Sequence, residues 1–433
     1  MKRSLILFQQ HTGRMFRDKW KVQGKRVLID TGALKELKLR GIAVEDANDV
    51  VRETFEKTKH VELDHFPPKL NEIQPDYHEE PCLNYSDHNV LIGGLDQAKV
   101  FTNSCEMDLS LLPFSERLDS ASIDSSQNSI IKRLIKTSLL FDATQEKLPI
   151  RKDPNRPAFV FPRDFGITDK RKNFLLGRRL LQLCSILNPE LKDKRRFIKG
   201  PLYFQTALNR DSRNILLSVR ADELIASDVY IKSLINKTEL TDKPIPDILP
   251  LSAFVSLEKI HTYKFEDFYP MNKEIDRSVV HTVLVHFNKT EVTNLYETEV
   301  TESQILARSL MKCYAIAIAE ARNHYGKDVE DLPEPLTIQC IQTDSKQFYF
   351  SIFQLNTTRS SEETNIRNAY WILPALSLFD QCDYIEGIPK LVNYNPQANQ
   401  QLMLLSPDGH GISKCKFTCH SAGIEPMISV GEC

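Results

Sequence analysis

The chain has 433 residues, 41% of them hydrophobic and 26% charged. That is the composition of a folded protein with enough chain for roughly two to four domains, or one large two-part domain, and it excludes a wholly disordered or fibrous polymer. No run approaches the roughly 18 to 20 apolar residues that a bilayer-crossing helix needs, and the nearest candidate, Leu249 to Leu257, is broken by serines. Glycine, at 15 residues, stands at about half its usual frequency, which argues against glycine-rich phosphate cradles.

The net charge of −2 is a cancellation of opposite blocks along the chain. Five stretches follow: a basic segment 1–29, an acidic, extended and helical region 30–128, a basic helical region 129–200, an α+β core 201–390 and an irregular tail 391–433. Residues 1–29 carry Lys2, Arg3, Arg14, Arg17, Lys19, Lys21, Lys25 and Arg26 against Asp18 alone. Basic, acid-poor and weakly amphipathic, this segment reads as a mitochondrial presequence; the alternative is a basic tail that binds RNA or is simply solvated. In the acidic region, Asp46 can cap a helix whose Val50, Val51 and Phe55 share a face. Phe66-Pro67-Pro68 through Pro75 and Pro81 reads as an extended connector. Residues 118–128 have a linker composition.

Ile130, Ile131, Leu134, Ile135 and Leu139 then form the stripe of an amphipathic helix with a basic flank. Between Arg151 and Lys199 basic residues cluster, while Phe174, Leu175, Leu180, Leu181, Cys184 and Leu187 recur at helical spacing and leave those charges on an open face. Beyond residue 200 the pattern turns to strands. Leu202 to Ala207 and Asn214 to Arg220 flank the polar turn 209–213, and Val279 to Phe287 is a further strand. Thr301-Glu302-Ser303-Gln304 fits a capping box opening a long helix over about 301–325. Ile305, Leu306, Leu310, Met311, Tyr314 and Ile318 form its buried face, and Gly326 is its left-handed stop. Leu336 to Ile341 and Phe348 to Leu355 pair around residues 343–346, the second with the continuous apolarity of a strand buried on both faces. The expected fold class is α+β, with an extended and helical amino-terminal part and a mixed or antiparallel sheet core carrying one long packed helix.

Signatures of chemistry are sought with little return. Phosphate-loop, zinc-helix, nucleophile-elbow and dinucleotide patterns are absent. Cys415, Cys419 and His420, with Cys433, make an incomplete zinc set. His60, His65, His78 and His88 fit no single face, and His281 and His286 point to opposite faces of one strand. The nine cysteines show no repeated spacing and read as reduced thiols. What stands out is positive charge, which attracts phosphate backbones through counterion release.

Several strings then become specific: residues 319–326 (AEARNHYG), 338–344 (IQCIQTD), 353–358 (FQLNTT) and 368–371 (NAYW), with 93–98, 209–212, 217–220 and 268–270 upstream. In order and spacing they resemble a family of mitochondrial large-subunit ribosomal proteins, the one numbered thirty-seven, shared with a paralogue once described as a programmed-cell-death protein. The resemblance covers about 90–375. It implies a structural constituent of the large mitochondrial ribosomal subunit in the matrix, supporting translation without catalysis, with no cofactor or metal. The partners it implies are other large-subunit proteins, the paralogue and ribosomal RNA. Charge alone nominates the RNA contacts: Lys170, Arg171, Lys172, Arg178, Arg179, Lys194, Arg195, Arg196 and Lys199. After Asn395-Pro396 the chain departs from the aromatic and basic ending expected of the family. The alternatives are a metal-dependent hydrolase or nuclease built on residues 60–125 and a free RNA-binding module.

Overall fold

In a computed structural model the described residues are 32–44, 66–67, 70, 76–112, 125–150, 153, 155–156, 158–159, 161–162, 164–187, 195–249, 251–271, 279–288, 291–294, 296, 298–360 and 362–397. The chain divides into two units, 1–62 and 63–433. Of the first, the described part is a short helix α1 (Ala33–Leu39) with both flanking glycines, Gly32 and Gly41, at positive φ. The helix expected at 46–55, the presequence-like segment and the cysteine-bearing tail beyond 397 lie outside the described residues.

The second unit is a ten-stranded mixed sheet covered on both faces. Its strands are β1 (Tyr77–Ser86), β2 (Ser104–Glu106), β5 (Arg195–Arg210), β6 (Arg213–Ser227), β7 (Glu258–Thr262), β8 (Val279–His286), β9 (Asp331–Thr343), β10 (Gln347–Thr357), β11 (Asn368–Ile372) and β12 (Leu376–Ser377). The two-stranded pairs β3 (Glu146–Lys147) with β4 (Phe165–Gly166), and β13 (Gln381–Ile385) with β14 (Ile388–Val392), stand apart from it. The main order is β2-β11-β10-β9-β8-β6-β1-β7, with β5 along β6 and β12 beside β10. β6 is the hinge of the arrangement: over its first half it pairs in parallel with β1, over its second half antiparallel with β8, and along its whole length with β5.

The helices follow from the same topology. β8 and β9 are parallel neighbours, so the chain needs a crossover between them, and α5 (Glu302–Tyr325) supplies it. Together with α2 (Gly94–Phe101) it packs against one face, where Val283, Val285, Cys340 and Phe353 point. On the other face Leu284, Ile341, Phe350 and Ile352 share a core with α3 (Ser125–Leu139) and α4 (Asp169–Leu187). Adjacent residues of one strand thus feed two cores, which is why these strands read as continuous apolar runs.

Local chemistry sets the boundaries. The β5–β6 hairpin closes through Asp211 and Ser212, both at positive φ (50° and 58°), as a turn matched to strand twist requires. The capping box of α5 forms as its sequence predicts: Gln304 N donates to Thr301 Oγ1 at 3.4 Å and Thr301 N to Gln304 Oε1 at 3.1 Å.

Three expectations are corrected. Gly326 has φ 106° and ψ 161°, an extended conformation of positive φ outside the left-handed helical basin. The connector expected through Pro81 ends sooner, since β1 begins at Tyr77 and Pro81 lies within it, on a strand that is exposed as far as that proline. And α5 has no open face: from Gln304 to Ala321 every residue except Leu306 is buried, including Arg308, Lys312 and Glu320. Small alanines at 307, 315, 317, 319 and 321 allow the surroundings to close around it. The sheet also reaches upstream of the 201–390 stretch for β1 and β2, whose pairings with β6 and β11 are parallel and carry no local pattern.

Candidate nucleic-acid interface

The groups that the sequence offers for chemistry are used structurally. His78 lies with Nε2 3.1 Å from the Tyr263 carbonyl oxygen and its ring stacked on Tyr263 at 4.2 Å. His281 and His286 are buried on β8, and His60 and His65 fall outside the described residues. Among the described residues, no three His, Cys, Asp or Glu side chains gather as metal ligands.

The dominant electrostatic feature is interior. Asp87, in the turn after β1, receives Lys312 Nζ, lies 3.5 Å from both Arg308 and Arg220, and accepts the Arg220 backbone N–H at 3.3 Å. Arg220 Nε also meets Asp222 at 3.1 Å, and Asp222 accepts the His286 backbone N–H at 2.7 Å. Arg308 spans onward to the His286 carbonyl and the Gln342 side chain, each at 3.3 Å. This set ties α5 to β1, β6, β8 and β9. Burial by itself would raise the Asp87 carboxyl, but Lys312, Arg308 and Arg220 together hold it well below the usual carboxylate range.

Lys312 is pushed down to about 8, by burial first and by the neighbouring Arg308 second, against the opposing pull of Asp87 and Asp222. A lysine whose folded pKa lies below its unfolded value binds fewer protons in the folded state between those two values. Stability therefore rises with pH from about 8 towards the ordinary value near 10.5. Over that window the native chain should gain up to about 3 kcal/mol that a Lys312→Met variant does not gain. Chemical denaturation of both between pH 7.5 and 10 checks this; equal slopes would contradict it.

The nominated cations are distributed rather than pooled. On α4, Arg171 is locked to Asp142 (NH2 to Oδ1, 3.1 Å), Lys172 pairs with Asp169 at 3.2 Å, and Arg179 donates to the Thr137 and Ser138 hydroxyls of α3 at 2.8 and 3.1 Å. Lys170 is exposed and Arg178 half-buried, and neither has an ion-pair partner among the described residues. Arg195, Arg196 and Lys199 lie on β5 opposite Ser227, Ala226 and Glu223, and Lys194 is outside the described residues. Arg179 thus ties α4 to α3 and Arg171 ties it to the segment just after α3, while the Lys172 pair lies within α4.

Comparison with known sequences bears on this fold. The profile of the family described as "Mitochondrial 28S ribosomal protein S30 (PDCD9)" matches residues 259–403, from β7 to beyond β14. The large ribosomal subunit protein mL37 of Rattus norvegicus is 24% identical over 314 residues, 69% of this chain and 66% of the relative. That of Gallus gallus is 25% identical over 243 residues, 53% of this chain and 54% of the relative. The Bos taurus protein of the same name reaches 30% over 123 residues, 28% of each. Over these stretches the chain is similar to mL37 proteins.

The chain spans between about half and two thirds of the length of the first two of these relatives. Three of the strings that resemble the mL37 family, 209–212, 353–358 and 368–371, meet at one end of the sheet. Asn368 Oδ1 accepts the backbone N–H groups of Asn356 and Thr357 at 2.7 and 3.1 Å, while its Nδ2 donates to the carbonyls of Thr102 and Thr357. Gln354 bridges to Leu234 N and the Ile235 carbonyl. Arg210, from the 209–212 string, reaches the carbonyls of Phe101 and Thr358 and the Tyr314 hydroxyl. In this chain the mL37-like motif is a buried polar knot. It completes the backbone bonding where β10, β11, α2 and the β5–β6 turn converge, and each buried group in it that lost its partner would cost about 1 to 3 kcal/mol.

Proposed function

We propose that this chain is a structural, non-catalytic constituent of the large subunit of the mitochondrial ribosome, working in the matrix against ribosomal RNA and neighbouring large-subunit proteins, its paralogue among them. The observation that carries the reading is the similarity to mL37 proteins over 314 residues, which takes in much of the sheet core. The profile match carries a small-subunit description, but the curated relatives are named for the large subunit, and the proposal follows them. The interior supports the reading, since its charged and amide side chains are committed to holding the fold, as a scaffold requires.

In this proposal RNA is met by Lys170 and Arg178 and by the basic residues 194–199. Arg171 and Arg179 are shared between RNA and the α3–α4 layer, and Lys172 between RNA and its pair with Asp169 on α4. Sedimentation of mitochondrial extract on a magnesium-containing gradient tests it. The chain should travel with the large subunit and leave that position after EDTA and RNase; migration as a free 49.8 kDa species would overturn the proposal.

Lys170→Ala with Arg178→Ala should weaken RNA association and reduce the log–log salt slope by roughly 0.7 to 0.9 per lost phosphate contact, with little change in Tm. Arg179→Ala, which loses its bonds to α3, should instead lower stability by about 1 kcal/mol. Filter binding across a salt series and thermal melting separate the two effects.

A further inference from the structure

Between α3 and α4 the chain leaves the sheet unit as an arm, residues 146–166, closed at its base by β3 and β4. The Leu148 N–H donates to the Asp164 carbonyl at 2.9 Å, and Thr168 Oγ1 lies 3.1 Å from Glu146. The sequence of this stretch holds prolines at 149, 154, 157 and 162, and its lysines and arginines outnumber its acids. Its tip is shaped by turns: Arg156 N donates to the Asp153 carbonyl and Phe159 N to the Arg156 carbonyl, each at 3.0 Å.

Three of the arm's apolar side chains lie in solvent. Phe159 is 52% exposed and Phe165 63% exposed, with Ile150 also turned to solvent. Phe159 rests edge-to-face on Phe161 at 4.8 Å, which fixes its ring while leaving much of it in water. Lys147 and Arg156 are exposed beside them, with no carboxylate paired to either among the described residues. Beyond the arm, α4 begins at Asp169 and carries exposed Lys170 in its first turn. A purely apolar tip would suit a protein groove. Exposed rings beside exposed cations suit a ligand that offers flat unstacked faces and a phosphate chain together.

We infer that the 146–166 arm is a docking element for unpaired nucleotides of RNA, with Phe159 and Phe165 as stacking platforms and Lys147 and Arg156 as phosphate contacts. The inference rests on the proposed ribosomal role but assigns a surface which that role does not require. Base stacking on such rings contributes about 1 to 3 kcal/mol per base, a factor of roughly 5 to 150 in affinity.

The test uses the full chain and two probes, a 12-nucleotide single-stranded RNA of mixed sequence and a perfect RNA duplex, read by fluorescence anisotropy. Phe159→Ala with Phe165→Ala should weaken single-strand binding at least about tenfold and duplex binding less than about twofold, without altering Tm. Phe159→Tyr with Phe165→Tyr, which keeps the rings, should restore it. Unchanged single-strand affinity of the alanine variant, equal losses on both probes, or a failure of the tyrosine variant to rescue would overturn the inference.

Ultraviolet cross-linking of purified large subunits supplies the second reading. A nucleotide adduct within 146–166 supports the inference. Protein cross-links to the arm with no nucleotide adduct would overturn it in favour of a protein neighbour. Loss of the arm's RNA contact from particles that still contain the chain separates this inference from the ribosomal reading, which fails only if the chain is absent from them.

Discussion

Asp87→Ala should destabilise the chain by about 3 to 5 kcal/mol, more than the hydrogen bonds it removes would suggest. Among the described residues, the carboxylate is the one group that pairs with Lys312, Arg308 and Arg220 together. Lys312 and Arg308 are 0% and 1% exposed, so neither can turn to water when its partner is lost. Cutting one partner out of a buried ion set leaves the remaining charges uncompensated at low dielectric, which costs several kilocalories. Lys312→Met removes a cation from a set in which three cations face two carboxylates, Asp87 and Asp222, and should cost less than half as much. A double-mutant cycle between Asp87 and Lys312, followed by denaturant unfolding, should give a coupling well above the 1 kcal/mol or so of an exposed pair. Additive effects would mean that the two groups do not act as a unit.

Phe350→Ala should cost about 3 to 5 kcal/mol by a different route, the opening of a cavity. The ring is 0% exposed on β10, lies near-parallel to Phe348 at 6.1 Å, and belongs to the core in which α3 and α4 close over the sheet. β10 is hydrogen-bonded along both edges, to β9 and to β11 with β12, so the strand cannot shift to fill the space. Leu249→Ala serves as the comparison: at 84% exposure it should change stability by less than about 0.5 kcal/mol. Matching melting curves for Phe350→Ala and the native chain would remove this residue from the core.

Both sites show where reading from sequence succeeds and stops. Phe350 was legible because the run from Phe348 to Leu355 is apolar at nearly every position, the pattern of a strand covered twice. Asp87 was not. It is one of many acids in an acidic stretch, and its partners Arg220 and Arg308 are 133 and 221 residues further along the chain. For the same reason the burial of Arg308, Lys312 and Glu320 on α5 was not legible, since it depends on distant buried partners. For Glu320 those partners are the Tyr230 and Tyr269 hydroxyls and the Val280 N–H. Among the basic residues of α4, charge was legible, but its division between outward Lys170 and inward-tied Arg171 and Arg179 was not.

By itself the sequence determined what short-range physics controls: the α+β class, the capping box at Thr301, the hairpins around 211–212 and 343–346, and the existence, though not the exact ends, of the amphipathic helices α3 and α4. Its strings also pointed to the mL37 family. The tertiary structure alone decided the parallel recruitment of β1 and β2, the enclosure of α5, the charge set around Asp87 and the polar knot around Asn368. These depend on contacts between residues far apart in the chain, made in a low-dielectric interior where a charge or amide is tolerated only if a distant partner arrives to meet it.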